Sequence, residues 1–326
     1  MPTIPNEVIT MPDKRIGIHA GAPNAEASLD LTRRAEVAGV QATWLTTGGT
    51  GLDALTLFAA AAVQTDNILF GTSIVPTYPR HPIVVAQQVQ VLDQLAPGRL
   101  RLGVGPSHRP TMRSMFGFDL RSPLTNLSEY LQILRALLHE GSVDFDGEEY
   151  TAHASIPRPV NIPVMASALQ EGSFELCGAE ADGAISWVSP AVYLRDKALP
   201  AMRRGSDQAG RETPPLIAHA PVCISTDVGA TRAAVQQQLS NYPRLPFYQR
   251  MWAAAGHPEA AEETWSDGMI QATVLTGDAD AVGERMVAML DMGIDKLLVT
   301  PVTAGDDAAD DMEQTIQLLG KVAQSL

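Results

Sequence analysis

The 326-residue chain is poor in cysteine, in aromatic residues and in basic residues. Cys177 and Cys223 are its two cysteines, which excludes a disulfide framework and indicates a reducing compartment. Aromatic residues make up 5% of the sequence, and 23 basic residues against 37 acidic ones give a formal net charge of −14. A surface of this sign repels phosphate backbones, so we expect no nucleic-acid partner.

Long apolar runs are also missing from the sequence. The opening residues, MPTIPNEVITMPDK, lack the apolar segment of a secretory leader, and no run approaches the ~18 apolar residues of a membrane span. We therefore expect a cytoplasmic protein that does not associate with membranes. The hydrophobic content of 45% is enough for one large α/β barrel or for two ordinary domains.

The histidines and the carboxylates argue against two classes of site. The seven histidines are scattered without ligand spacing, so we predict no metal centre. The residues that follow the predicted strands include few carboxylates, which argues against hydrolysis by a pair of acids. Such a site suits a cofactor that brings its own reactivity.

Residues 70–115 carry the clearest pattern in the chain, which reads as strand, helix, strand. Pro82 suits the first turn of a helix because its ring fixes φ and no amide is wasted. Apolar residues then recur at helical spacing until Pro97-Gly98 ends the helix. They are Val85, Val89, Leu92 and Ala96. The unit is typical of two parallel strands joined by a helix.

Eight such strands alternate with helices along the chain, which predicts an α/β fold, a parallel (β/α)8 TIM barrel. The predicted strands are 15–18, 42–45, 68–73, 100–105, 163–166, 183–187, 216–224 and 296–300. We predict one domain over residues 1–326, with an N-terminal strap at 1–13 and insertions after the fourth and seventh strands. The first insertion holds a mobile, Met-rich loop at 110–123 and a hairpin turning at Asp146-Gly147. The second, about 241–272, should lie near the barrel mouth.

Several motifs resemble the bacterial luciferase-like family, and within it the branch that depends on the deazaflavin coenzyme F420. The matching runs are GTSIVPTYPRHP and AQQVQVLDQLAPGRLRLGVGPSH, followed in the same order by EYLQILRALLHEG, DFDGEEY, IPVMASA and AEADGAISW. The resemblance covers about residues 14–300. It implies a luciferase-like TIM barrel that transfers a hydride between coenzyme F420 and a small organic substrate.

The resemblance also implies a set of coenzyme contacts. Ser73-Ile74 matches the family's non-prolyl cis peptide, which places Ile74 behind the deazaflavin ring; an ordinary trans strand end is the alternative. The full set of implied cofactor-binding residues is Thr47, Ser73, Ile74, Pro76, Pro106, Ser107, Thr111, Ala166, Ser167, Ala168 and Leu169. Within it, Ser107 and the amides of Ala168 and Leu169 are candidates for the coenzyme phosphate.

His108 is the candidate catalytic residue. It falls where sugar-phosphate dehydrogenases of the family place a glutamate, and imidazole can donate or accept a proton near neutrality. The alternative is a loop histidine held in a hydrogen bond. Those relatives also carry an Asp-His pair after the second strand, where this chain has Thr46-Thr47-Gly48-Gly49, so we do not expect sugar-phosphate oxidation by their mechanism.

Aromatic and cationic residues complete the predicted site. The proposed substrate pocket consists of His19, Met112, Trp187, Tyr248 and Trp252, for which core packing is the alternative role. By strand parity His19 and His219 should point toward the barrel or its mouth, where a satisfied core histidine is the other interpretation. Arg80, His81, Arg109 and Arg113 are candidates for the coenzyme's acidic tail, or they are solvated surface charges.

Two other functions stay open at the level of sequence. One is an FMN-dependent luciferase-like monooxygenase on the same barrel, since the two ring systems differ in a single atom. The other is a non-catalytic barrel that stores or carries coenzyme. The family resemblance further implies a homodimer formed through barrel helices, with which the apolar helix predicted at 54–63 is compatible.

Overall fold

The computed structural model describes residues 13, 15–305 and 308–326. Its main sheet closes on itself to form a barrel. The strands, in chain order, are β1 (Ile16–His19), β2 (Ala42–Leu45), β3 (Leu69–Thr72), β4 (Val75–Pro76), β5 (Leu100–Gly105), β6 (Ser142–Asp146), β7 (Thr151–Ser155), β8 (Val164–Ser167), β9 (Ala184–Trp187), β10 (Leu216–Ile224), β11 (Leu275–Gly277) and β12 (Lys296–Pro301). Around the barrel the order is β1, β2, β3, β5, β8, β9, β10 and β12, all parallel, and β12 pairs with β1. The predicted (β/α)8 barrel is confirmed.

Helices fill the connections between the barrel strands. They are α1 (Ala25–Val37), α2 (Ala54–Ala62), α3 (Pro82–Leu95), α4 (Arg109–Phe116), α5 (Pro123–Arg135), α6 (Glu171–Glu180), α7 (Ala191–Tyr193), α8 (Leu199–Ala209), α9 (Val228–Gln238), α10 (Pro246–Ala254), α11 (Asp267–Thr273), α12 (Ala279–Asp291) and α13 (Ala308–Ser325). Short π-helical segments follow α5 and α7, at Ala136–Glu140 and Leu194–Ala198, and 3-10 turns flank α10 at Tyr242–Arg244 and Pro258–Glu262. Within the described residues, no helix combines the length and apolar character that a membrane span requires.

The inside of the barrel is packed with side chains. Trp44 lies at its centre, where a Cβ atom on Gly17 or Gly71 would come within 2.6 and 2.2 Å of the indole ring. The inward residues form a core of their own, made of Ala42, Trp44, Leu69, Met165, Ile185, Ile217 and Leu298. Because the interior is filled, a ligand can bind only at an end of the barrel, and in this fold the carboxyl ends of the strands carry function.

Local capping signals locate several helices as expected. Pro82 is the first residue of α3, and Nδ1 of His81 accepts the amide of Ile83 at 3.2 Å. Asp227 and Asp278 cap α9 and α12 by accepting the amides three residues further on, both at 2.9 Å. These contacts involve neighbouring residues alone, which is why the sequence predicts them.

The segment 110–123 was wrongly predicted to be a loop throughout, because its first half forms α4. Pro110 sits in the first turn of this helix, and Gly117, at φ 75°, ends it in the left-handed conformation. The amide of Gly117 donates to the carbonyl of Arg113. The helix fixes the direction of the chain directly after His108.

The hairpin of β6 and β7 also differs from its prediction. The two strands are joined by the four residues 147–150 instead of a two-residue turn at Asp146-Gly147. The reason is tertiary, since the carboxylate of Glu129 on α5 accepts the amides of Glu148, Glu149 and Tyr150 at 2.7 to 2.9 Å. These bonds hold the loop open against the barrel.

The second insertion, between β10 and β11, is helical throughout its ordered elements. It contains α10, α11 and the two 3-10 turns, with Trp252 and Trp265 in ring contact at 4.8 Å. Two short strands escaped prediction: β4 pairs with β5, and β11 pairs with β10. The predicted strap, 1–13, lies outside the described residues except for Asp13, and the division into a single domain stays a prediction.

Gly178→Ala should destabilise the protein, because α6 and α8 pack closely at this glycine. A Cβ atom on Gly178 would lie 2.0 Å from the carbonyl oxygen of Met202 on α8. We expect the free energy of unfolding in urea to fall by about 1–3 kcal/mol, the usual cost of overpacking. Gly172→Ala is the matched control on α6, since its nearest neighbour would be 3.7 Å away and alanine restricts the unfolded chain. Equal unfolding midpoints for the two variants would contradict the close packing.

Candidate active site at the carboxyl ends of the strands

The segment after β3 is held in place by the end of β2. The amide of Ser73 donates to the carbonyl of Leu45 at 2.8 Å, and the hydroxyl of Thr46 donates to the carbonyl of Ser73 at 2.7 Å. The amide of Thr47 donates to the carbonyl of Ile74 at 3.1 Å. The bond between Ser73 and Ile74 is cis, as predicted. These contacts fix the backbone of both residues at the barrel mouth.

Small residues on β5 and β8 form a platform beside this segment. A Cβ atom on Gly105 would lie 2.1 Å from Oγ of Ser167 and 3.3 Å from the side chain of Ile74. One on Gly103 would lie 2.1 Å from the carbonyl oxygen of Thr72. The strand ends therefore pack too closely for a side chain at either glycine, and they present backbone and short side chains, beside which a flat ring can approach closely.

The turn after β5 continues the same rim. Pro76 in β4 pairs with Gly105, which leads directly into Pro106 and Ser107. Ser107 has φ 62°, a left-handed conformation that is uncommon for a residue with a side chain and that often marks functional sites. Thr111 lies in the first turn of α4 and is partly exposed. The structure thus brings four of the predicted coenzyme contacts onto one edge.

At the end of β8 and in the loop after β2, several polar groups predicted to bind the coenzyme already form hydrogen bonds within the protein. The amide of Ala168 donates to the carbonyl of Ile185 at 2.9 Å, and the amide of Leu169 donates to Oγ of Ser173 at 3.0 Å. A phosphate could bind these amides only by replacing those bonds. The hydroxyl oxygen of Thr47 accepts the amide of Ala54 at 3.0 Å, so this side chain also supports the first turn of α2.

His108 packs against two tyrosines of the second insertion. The centroid of its ring lies 6.2 Å from that of Tyr242 and 5.8 Å from that of Tyr248, and the two tyrosine rings are 5.1 Å apart. Residues from β5 and from α10 therefore meet above the barrel. No short-range signal connects these positions, which are more than 130 residues apart in the chain.

Three rings from barrel strands extend this surface. Trp187 at the end of β9 lies 5.6 Å from Tyr242 and 4.1 Å from His219, measured between ring centroids. His219 lies 5.9 Å from His19 and its Nε2 is 2.6 Å from Oγ1 of Thr300. The inward direction predicted for both histidines is confirmed. We call His19, His108, Trp187, His219, Tyr242 and Tyr248 the ring wall.

Two members of the ring wall, Tyr242 and His219, and the threonine behind it, Thr300, were not predicted from the sequence to belong to the site. Tyr242 lies in the predicted second insertion and was assigned no role, His219 was assigned no pocket role, and Thr300 only ended a predicted strand. The inward parity of His219 was the one signal that could have identified it. The place of Tyr242 depends on how the insertion folds over the mouth.

The ring wall is electrically neutral near pH 7. Burial lowers the pKa of His19 to about 4, and burial together with the nearby His19 holds the pKa of His219 well below 6.5. Burial also lowers the pKa of His108 and raises the pKa values of Tyr242 and Tyr248. Desolvation disfavours the charged form of each group, so all five titratable rings are uncharged.

Two of the predicted pocket residues lie behind the wall instead of on its surface. Met112 on α4 is fully buried. Trp252 is fully buried as well, donates its indole N–H to Oγ1 of Thr273 at 3.1 Å and contacts Tyr248 at 5.9 Å between centroids. Both residues support the pocket through packing, which was the alternative role given to them.

Most of the cationic residues near the mouth are already engaged. Arg80 forms an ion pair with Asp53 at 2.7 Å, His81 caps α3, and Arg109 donates to the carbonyl oxygen of Leu120. The side chain of Arg113 is exposed, and it alone of the four side chains makes no hydrogen bond or ion pair within the described part of the chain. Among those same residues no cluster of histidine, cysteine and acidic side chains could hold a metal ion.

Comparison with known proteins places this chain in a family. The family model for luciferase-like monooxygenases matches residues 7–296. The chain belongs to the luciferase-like monooxygenase family. The resemblance inferred from the motifs is therefore confirmed.

Individual relatives are distant. An F420-dependent glucose-6-phosphate dehydrogenase from Nakamurella multipartita is 28% identical, with 89% of this chain and 91% of the relative covered. An F420-dependent secondary alcohol dehydrogenase, solved with an F420-acetone adduct, superimposes with a TM-score of 0.79 at 17% identity, covering 94% of this chain and 98% of that one. The oxygenating constituent of 3,6-diketocamphane monooxygenase from Pseudomonas putida, solved with FMN, gives 0.69 at 19% identity, with 96% and 99% covered. At these identities the two structures share the fold.

Because His19 is held neutral in the folded protein, we expect it to make the stability of the protein sensitive to acid. Its folded-state pKa of about 4 lies below the unfolded value of about 6.5, so the unfolded chain takes up the proton first as the pH falls. This histidine therefore lowers stability progressively between those two pH values. We expect the melting temperature of His19→Gln to fall less than that of the wild type between about pH 7 and about pH 5.

His153→Gln is the control for this experiment. His153 lies in the exposed hairpin, where its hydrogen bond to Asp144 raises its pKa, so its removal should not lessen the decline in acid. Parallel melting curves of the wild type and His19→Gln across this range would show that His19 is not held neutral.

Proposed function

We propose that the protein is an oxidoreductase that transfers a hydride between the deazaflavin coenzyme F420 and a small organic substrate. The observation that carries this proposal is the platform of Gly103, Gly105 and Ser167 beside the Ser73–Ile74 segment. Its backbone and short side chains suit a planar ring, and both glycines are required because a Cβ atom at either would displace Ser167 or the backbone of Thr72. When bound there, the coenzyme supplies the hydride chemistry itself.

The residues of this chain would hold the coenzyme at three places. Ile74, which packs against the inner core of the barrel, would support the back of the ring. Ser107 lies two residues before α4, where the positive end of the helix favours a phosphate. Arg113 on the same helix is exposed and suits an acidic tail. The amides of Ala168 and Leu169 already donate hydrogen bonds within the protein, so they would contribute less directly to binding the coenzyme.

His108 is suited to move the proton that accompanies the hydride. Tyr242 and Tyr248 shield its ring, and burial lowers the pKa of His108, so the neutral form dominates at neutral pH. A neutral imidazole can accept the proton of a substrate hydroxyl during oxidation and, once protonated, return it during reduction. The described residues include no carboxylate in ring-wall contact that would compete for this role.

The comparisons support F420 and leave a specific alternative. The relative of highest identity given above is named as F420-dependent, and the F420-dependent alcohol dehydrogenase has the higher TM-score of the two structures. An FMN-dependent monooxygenase is the second candidate, favoured by the family's description and by the similar structure that contains FMN. A barrel that stores coenzyme without turnover is the third.

Titration with each coenzyme tests the choice among these functions. We expect the purified protein to bind F420 at least about tenfold more tightly than FMN, a difference of ~1.4 kcal/mol, as followed by fluorescence. A panel of enones, imines and alcohols should then change the F420 absorbance without oxygen. Tighter binding of FMN, with oxygen uptake by the reduced complex, would indicate the monooxygenase. Tight F420 binding without turnover on any member of the panel would indicate the storage protein.

His108→Ala should lower turnover and leave coenzyme binding intact. General acid–base catalysis contributes about 10²–10⁴-fold in rate, and we expect a loss in this range with a coenzyme dissociation constant within about twofold of the wild type. Stopped-flow absorbance of the coenzyme gives both quantities. His153→Ala, a change in the exposed hairpin, is the control and should retain full activity. Full activity of His108→Ala would remove this residue from the mechanism.

Assembly and location belong to the same proposal. A homodimer could bury the apolar side chains that α2 and α3 expose to solvent, which include Val63, Val91 and Leu95. The two cysteines are free and buried, as expected for a protein of the reducing cytoplasm.

A further inference from the structure

The ring wall, which would face the substrate, consists of aromatic and imidazole rings and contains no carboxylate, ammonium or guanidinium group. Its six members come from β1, β9, β10, the turn after β5 and the second insertion, and each contacts the next at 4.1 to 6.2 Å between centroids. Flat, apolar surfaces of this kind favour a ligand that is itself flat or cyclic, because ring contacts add to the free energy of burial.

Charged groups are excluded from the ring wall. None of its six residues forms an ion pair with a described residue, and burial is the main cause of every pKa shift within it. No aspartate, glutamate, lysine or arginine contributes to any of those shifts. Arg80, a cation near the mouth, is neutralised by Asp53. A charged substrate at the ring wall would lose its hydration and gain no counterion from the wall's own residues, which is costly.

The wall also carries polar atoms, among them Nε1 of Trp187, which is buried without a hydrogen-bond partner in the described part of the chain, and the nitrogens of the histidine pair. His219 already shares a hydrogen bond with Thr300 at 2.6 Å. The ring of His19 lies next to it, inclined by 29°, and its nitrogens have no hydrogen-bond partner within the described ranges 15–305 and 308–326. A neutral imidazole has one donor and one acceptor, so it can bind either a carbonyl or a hydroxyl oxygen.

Resting on the proposed function, we infer that the substrate is a neutral molecule with a flat or cyclic apolar body and one carbonyl or hydroxyl oxygen, which His19 hydrogen-bonds. The substrate class thus differs from the phosphorylated sugar named for the relative from Nakamurella multipartita. The substrate is inferred to be neutral because the ring wall supplies no counterion, and to have a ring body because the wall consists of rings. It is inferred to carry an oxygen because the nitrogens of His19 have no hydrogen-bond partner in the described part of the chain.

Matched ligands test the neutrality. We expect benzaldehyde to bind at least about tenfold more tightly than para-carboxybenzaldehyde, since the carboxylate would be desolvated without a partner. Quenching of tryptophan fluorescence, with and without F420, gives both dissociation constants. Equal affinities, tighter binding of the carboxylate, or no binding of either compound would overturn the inference. Tyr242→Lys supplies a counterion and should shift the ratio toward the carboxylate by about tenfold, whereas Tyr242→Phe should not.

A second pair of ligands tests the role of His19. Benzyl alcohol carries the oxygen and toluene lacks it. In His19→Leu the affinity for benzyl alcohol should fall by about tenfold, the usual worth of a buried hydrogen bond, while toluene binds as in the wild type. His19→Gln keeps a donor and an acceptor and should restore part of the affinity. A parallel loss for both ligands would mean that His19 acts only through packing and would overturn its assignment.

These binding measurements separate the two levels of the proposal. If F420 fails to bind but the preference for neutral ligands appears, the proposed function is wrong and the inferred ligand class stands. If F420 binds and the charged member of the pair is preferred, the proposed function stands and the inferred ligand class is wrong.

Discussion

The hydrogen bonds from the end of β2 to Ser73 and Ile74 are the constraint on which the candidate site depends. They fix the backbone of these two residues at the mouth, beside the carboxyl ends of β5 and β8. Once that segment is fixed, Ile74 lies close to Gly105, and Gly105 lies close to Ser167. Short side chains are needed at each of these positions because the three strands approach one another so closely. The platform is thus a consequence of backbone contacts and not of any single reactive group.

Desolvation links the chemistry of the ring wall to its selectivity. Burial lowers the pKa values of His108 and His219, which favours the neutral imidazole, and no charged residue contributes to either shift. A site of this kind cannot stabilise a charged ligand, but it can hold a ring and orient a single oxygen. In the proposed function the protein contributes position, shielding and proton movement, and a bound coenzyme contributes the redox reaction.

Much of the fold and part of the site could be predicted from sequence because the relevant interactions are local. The alternation of strands and helices, the capping of α3, α9 and α12, and the inward direction of His19 and His219 all depend on neighbouring residues. The cis bond at Ser73-Ile74 followed from the family motif. The prediction of the hairpin turn was wrong because Glu129, on the preceding helix α5, decides the path of the loop.

By itself the sequence determined the barrel, the family and the small residues at the strand ends. These features depend on hydrophobic periodicity, turn residues and the order of motifs, which can all be read from neighbouring residues in the chain. Only the tertiary structure decided which aromatic rings face the site. Tyr242 joined the wall while Trp252 and Met112 moved behind it, because the folded insertion and α4 set their depth. Closure of the barrel brings together His19 and His219, 200 residues apart in the sequence, and no local pattern encodes that distance.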